Sequence, residues 1–113
     1  MRADPRSRLV DELAATQRRL ARLTADFDEV VAASKDTNAD DEHDPEGATI
    51  AFERAQVSSV VQATGEHLAE VRAAIARWDA GDYGTCERCG AQIPAERLEA
   101  RPTARRCVAC VAR

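Results

Sequence analysis

Aromatic rings are scarce in this 113-residue chain: two Phe, one Tyr and one Trp, 4% of the residues. A sandwich or barrel packed around rings is therefore not expected. Lysine is almost missing, since Lys35 is the one basic residue that is not Arg. That bias is a matter of codon usage and points to a bacterial source with a GC-rich genome. No apolar run approaches the ~20 residues of a transmembrane helix, so no membrane partner is expected. Met1-Arg2-Ala3-Asp4-Pro5 is not followed by an apolar segment of the kind a secretory signal needs. The expected compartment is the cytoplasm. The chain also lacks a Gly-rich phosphate loop and a Ser/His/Asp arrangement with a supporting context, so it is not expected to be an enzyme.

What is present is charge, at 32% of residues, together with abundant Ala, Arg, Glu and Asp. That is the composition of long solvated helices. The net charge of −4 argues against a general nucleic-acid coat. Its distribution is uneven. Asp26 to Glu46 holds nine acids and one base, whereas Cys86 to Arg113 holds six Arg and three Glu. An acidic middle and an Arg-rich end imply two surfaces with different partners.

Asp4 followed by Pro5 is a helix start, an N-cap residue and then proline at the first helical position. Leu9, Leu13, Thr16, Leu20, Leu23, Phe27, Val30 and Ser34 then recur at alternating steps of four and three. This is a heptad seam. A helix from Pro5 to Lys35 would be roughly 45 Å long. The period fails across 36–47, where Asn, Asp, Pro45 and Gly47 favour turns. A second seam follows in Ile50, Val57, Val61, Thr64, Leu68, Val71, Ile75 and Trp78, with Arg54 at the one charged seam position. Gly81 and Gly84 end it. Gly65 sits inside it, at a cost of about 1 kcal/mol against Ala. Two seams of similar length joined by a short polar loop can bury their stripes on each other. The expected fold is all-α: a long antiparallel coiled-coil hairpin over 1–81, with an acidic tip at 36–47, and a small finger over 82–113. A parallel homodimer would bury the same seams, but the short loop suits antiparallel neighbours.

The finger follows from four cysteines, Cys86, Cys89, Cys107 and Cys110, two C-x2-C pairs separated by seventeen residues. That spacing suits a four-thiolate zinc site. Each two-residue gap lets a tight turn aim two sulfurs at one ion, and Gly90 suits a turn that needs positive φ. One structural Zn2+ is expected, with no open coordination position for catalysis. Competing uses fit less well. A disulfide framework needs an oxidising compartment. A thioredoxin-like pair needs a βαβ context. An iron site remains chemically open to four thiolates. A labile redox or zinc-reservoir role would need reactive thiols.

The string from Asp82 to Gly90, then Ile93-Pro94-Ala95-Glu96-Arg97-Leu98-Glu99-Ala100-Arg101-Pro102-Thr103-Ala104, then Cys107-Val108-Ala109-Cys110, resembles the DksA/TraR-type C4 zinc finger of bacteria. The order of parts, hairpin and then finger, resembles that family as well. The resemblance implies a regulator that binds RNA polymerase. The coiled coil would enter the secondary channel and bring its acidic tip near the catalytic Mg2+. In some relatives the alarmone ppGpp takes part, but no residue here is assigned to it. Direct DNA binding is not implied. The tip residues are Asp40, Asp41, Asp44 and Glu46. The family's D-x-x-D-x-A tip is incomplete here. From Asp44, Gly47 stands where the second Asp is expected; from Asp41, Glu46 stands where Ala is expected. The alternative is a zinc-stabilised coiled-coil interaction or stress protein that leaves the polymerase active site alone.

Plainer uses of several residues stand beside these. The acidic tip can be a solvated loop. As a calcium loop it departs from the EF-hand pattern at Asp41 and Gly47. His43 and His67 read as surface residues. Trp78 and Tyr83 are expected to pack the finger onto the helices. The Arg set (Arg88, Arg97, Arg101, Arg105, Arg106, Arg113) can pair with nearby Glu or meet an acidic partner.

Overall fold

A computed structural model describes residues 4–36 and 45–111. Four helices follow in chain order: α1 (Pro5–Asp36), α2 (Pro45–Ala80), α3 (Ala95–Ala100) and α4 (Val108–Val111). The described residues contain no strand beyond one isolated antiparallel bridge, Thr85 to Gln92. The expected all-α class and long two-helix hairpin are both present. The chain divides into two compact units, one of Met1–Ala15 with Leu68–Arg113, the other of Thr16–His67.

The ends of the long helices form as the local sequence dictates. The Asp4 carboxylate accepts from the Ser7 amide at 2.8 Å, which satisfies one of the first-turn donors, and Pro5 has no N–H to satisfy. At the far end, Gly81 takes φ +84°. Its N–H reaches Trp78 O at 3.0 Å, and the Asp82 N–H reaches Arg77 O at 2.8 Å. These two bonds satisfy the last carbonyls of α2 in a Schellman arrangement that requires a left-handed residue. α2 begins at Pro45, inside the segment expected to be loop, because proline is suited to the first helical position.

In the first unit the helices run antiparallel. Arg6 near the start of α1 makes a two-pronged ion pair with Asp79 near the end of α2, at 2.9 and 3.3 Å. Leu9, Val71 and Ala74 are fully buried together, with Leu13, Ile75 and Tyr83 packed around them. Ala74 was not among the expected seam residues, and Trp78, which was, stays 37% exposed. The small Ala74 side chain lies inside the cluster around Leu9. Trp78 instead stacks edge-on against Tyr83 with ring centroids 5.4 Å apart.

In the second unit the heptad reading holds along α1 from Thr16 to Val30, and the side chain of the last expected seam residue, Ser34, lies outside the described residues. Thr16 is buried, and Leu20, Leu23, Phe27 and Val30 are half-buried. On α2, Ile50, Val57 and Val61 are half-buried and Thr64 is buried, whereas Arg54 is exposed. Phe52 lies off the seam and is 65% exposed. No buried side-chain nitrogen or oxygen among the described residues lacks a partner.

These burials separate two phenylalanine- and leucine-sized truncations. Leu9→Ala should cost about 2–5 kcal/mol, the range for emptying a closed core site. Phe52→Ala should stay within about 0.5 kcal/mol, as for a surface position. Urea unfolding followed by circular dichroism reads both. Equal losses would contradict the packing described here.

Candidate metal centre

The finger grows out of the Schellman turn. Cys86 and Cys89 sit on a tight turn closed by the Gly90 N–H to Cys86 O at 3.0 Å. Gly90 has φ +77°, where an L side chain is strained, so glycine is required at this knuckle. The Cys86 N–H bonds Ala91 O at 2.8 Å, and the Ile93 N–H bonds Gly84 O at 2.7 Å, which doubles the chain back. Pro94 caps α3 through its carbonyl, which accepts from Arg97 and Leu98. The second pair differs from the expected second knuckle. Cys107 precedes α4, and its carbonyl accepts from the Cys110 and Val111 amides at 3.1 and 3.0 Å. A helical turn aims these two sulfurs.

The four Sγ atoms all lie within 4.8 Å of one another, and Cys89 Sγ is 3.8 Å from Cys107 Sγ. A tetrahedron with Zn–S bonds of about 2.3 Å has edges of about 3.8 Å, so the cluster is the size of one ion's coordination sphere. Cys86 and Cys110 are buried with Ile93, and Leu98 and Cys107 pack against them; Cys89 faces solvent. Backbone N–H groups of Cys107 and then Cys89 pull the Cys86 thiol down to about 6. Cys110 is pushed up, first by its hydrogen bond with the Cys107 sulfur and then by burial. Hydrogen-bond donors thus favour the thiolate at Cys86, while Cys110 holds its proton; four thiolates this close together would repel one another unless a cation sat among them. The donor set fits one zinc ion and supplies all four ligands.

Three polar contacts hold the finger's backbone to the helix ends. Tyr83 Oη donates to Pro102 O at 2.8 Å, Arg77 Nη2 to Thr103 O at 3.3 Å, and Arg8 Nη2 to Glu99 O at 3.2 Å. Tyr83 is therefore part of the attachment, as expected. Arg8 and Arg77 were not singled out, because a guanidinium aimed at a carbonyl leaves no mark in a sequence.

Of the Arg set, Arg106 pairs with Glu87 at 2.9 Å, and Arg97 donates to Arg106 O at 3.0 Å. Arg101 and Arg105 line the same open cleft of about 370 Å³. Local pairing thus accounts for part of the set. Arg113 lies outside the described residues. So do Asp40, Asp41, Asp44 and His43, and the side chain of Glu46 is likewise not described.

Removing zinc with a chelator should unfold residues 82–111 while most of the helical signal of α1 and α2 remains, because metal and finger folding are coupled. Cys86→Ser should release the ion, read by metal analysis. Gly90→Ala should weaken zinc retention against chelator without altering any ligand. Unchanged retention would contradict the φ argument.

Comparison with known proteins agrees with this geometry. Residues 81–113 match the family described as the prokaryotic dksA/traR C4-type zinc finger. The chain is 39% identical over 69 residues to general stress protein 16O of Bacillus subtilis, covering 61% of this chain and 42% of that protein. It is 42% identical over 43 residues to the RNA polymerase-binding transcription factor DksA of Haemophilus influenzae, covering 38% of this chain and 30% of that one. It therefore spans less than half the length of these curated relatives. Its fold matches the structure of transcription factor DksA2 from Pseudomonas aeruginosa with a TM-score of 0.77, over 96% of this chain and 78% of that one, at 24% identity. Residues 81–113 are therefore similar to the prokaryotic dksA/traR C4-type zinc finger, on a chain whose fold is similar to that of DksA2.

Proposed function

We propose that the chain is a non-enzymatic transcription regulator that binds RNA polymerase through its secondary channel. In this reading residues 1–81 are the hairpin, with the acidic tip at 36–47, and residues 82–113 are the finger. Asp40, Asp41, Asp44 and Glu46 approach the catalytic centre, where carboxylates can influence a bound Mg2+ or a basic wall. Cys86, Cys89, Cys107 and Cys110 hold one structural zinc ion that fixes the finger against the helix ends. The protein works in the cytoplasm and does not read DNA directly. The reading rests chiefly on one combination: a dksA/traR-type finger joined to an antiparallel helical hairpin, with a relative named for polymerase binding.

A second reading is favoured by a different likeness. The stretch shared with general stress protein 16O, 69 residues, is longer than the 43 shared with the polymerase-binding relative. A zinc-stabilised coiled-coil protein of the stress response, without effect on the polymerase active site, would account for it. The incomplete tip motif is consistent with that alternative.

Binding to core RNA polymerase from the same source, measured beside an Asp41→Asn/Asp44→Asn variant with initiation scored in parallel, separates the two. The expected result is micromolar or tighter binding by both proteins and a change in initiation that the variant loses. Binding with no tip-dependent effect would favour a factor that only occupies the channel. No binding at micromolar concentration would leave the stress-protein reading.

A further inference from the structure

Gly65 has no local reason to be glycine. It lies within α2, and its φ is not among the positive values, which belong to Gly81, Gly84 and Gly90. A Cβ built on it would meet nothing within 4 Å, so no close approach of another chain segment requires its absence. Alanine would fit and would favour the helical state of this step about fivefold. What glycine supplies here is a weak point in the helix.

Other observations fall on the same place. From Ala55 to Gly65 α2 has no charged side chain, so no ion pair one turn apart supports it within that stretch. The stretch is rich in Val, Ser and Thr, which are poorer helix formers than the Ala, Glu and Arg that follow. Gln62 reaches Glu66 across the step, but at 3.5 Å, the long limit of a hydrogen bond. The seam carries a polar side chain in both helices, since Thr16 and Thr64 are 4% and 8% exposed. Both threonines belong to the second unit.

We propose that the Thr64-Gly65 step is a flexible joint in α2, at which the helix opens and bends by local fluctuation while the buried cluster around Leu9 stays closed. Helix propensity and seam chemistry both weaken around this step, which is the condition for sub-global opening. This inference stands on the helix itself and does not depend on the polymerase reading.

Hydrogen exchange of the full zinc-loaded chain tests it, with Gly65→Ala as the comparison. In the wild type, amides of residues 64–69 should exchange at least fivefold faster than those of residues 71–77. Gly65→Ala should slow the first group about fivefold and leave the second within twofold. Uniform protection across 61–77 in the wild type would overturn the joint, as would a variant that slows all these amides together. Spin labels at Ser59 and Arg72, both exposed positions on α2, give a second measurement. The distance distribution should narrow in Gly65→Ala, and an equally narrow wild-type distribution would overturn the proposal.

Discussion

The mutual repulsion of four sulfurs is the constraint on which the C-terminal part of the molecule depends. The finger buries Cys86, Ile93 and Cys110, and two of those three are metal ligands. Ile93 alone contributes about 2 kcal/mol of burial. Structural zinc sites contribute about 10–16 kcal/mol in small finger peptides. The ion therefore outweighs packing, and the chain path serves to present sulfurs. Gly90 allows the first turn, the bridge from Thr85 to Gln92 closes the chain around it, and the Cys107 carbonyl starts the second.

A finger fixed by metal still has to be held where the hairpin needs it. Backbone carbonyls at Glu99, Pro102 and Thr103 accept from Arg8, Tyr83 and Arg77. Each donor comes from a helix end or from the turn just after it. Tyr83 also belongs to the Leu9 cluster, so the same residue serves packing and attachment. Burial lowers the Arg77 pKa first, and the Arg105 charge lowers it further. That cost of desolvation is tolerable because the guanidinium remains only part-buried and finds a carbonyl acceptor.

The helix boundaries were legible because each rests on a local chemical rule. Asp4-Pro5 caps α1, Gly81 ends α2, and Gly90 takes the turn between Cys86 and Ala91. The four-sulfur cluster was legible from spacing, since two short gaps leave few ways to arrange four thiols other than around one ion. Other features depend on distant parts of the chain. Ala74 replaces Trp78 in the buried seam because depth is decided by what packs opposite, which period alone does not encode. The second cysteine pair lies on a helical turn instead of a knuckle, a choice that C-x2-C spacing leaves open. The carbonyl acceptors of Arg8 and Arg77 are backbone atoms, invisible to any reading of side chains.

Stability is distributed unevenly along the two long helices, and the sequence shows why. Near the finger the seam is Leu9, Val71 and Ala74, closed on all sides and clamped by Arg6 and Asp79. At Thr16 and Thr64 the heptad positions carry buried hydroxyls, and between Ala55 and Gly65 α2 loses both charge pairing and helix propensity. A coiled coil of uniform leucine would have been stiffer. Heptad spacing fixes which residues face inward, but residue type fixes how strongly each level holds, so one unbroken pattern can contain both a rigid end and a compliant middle.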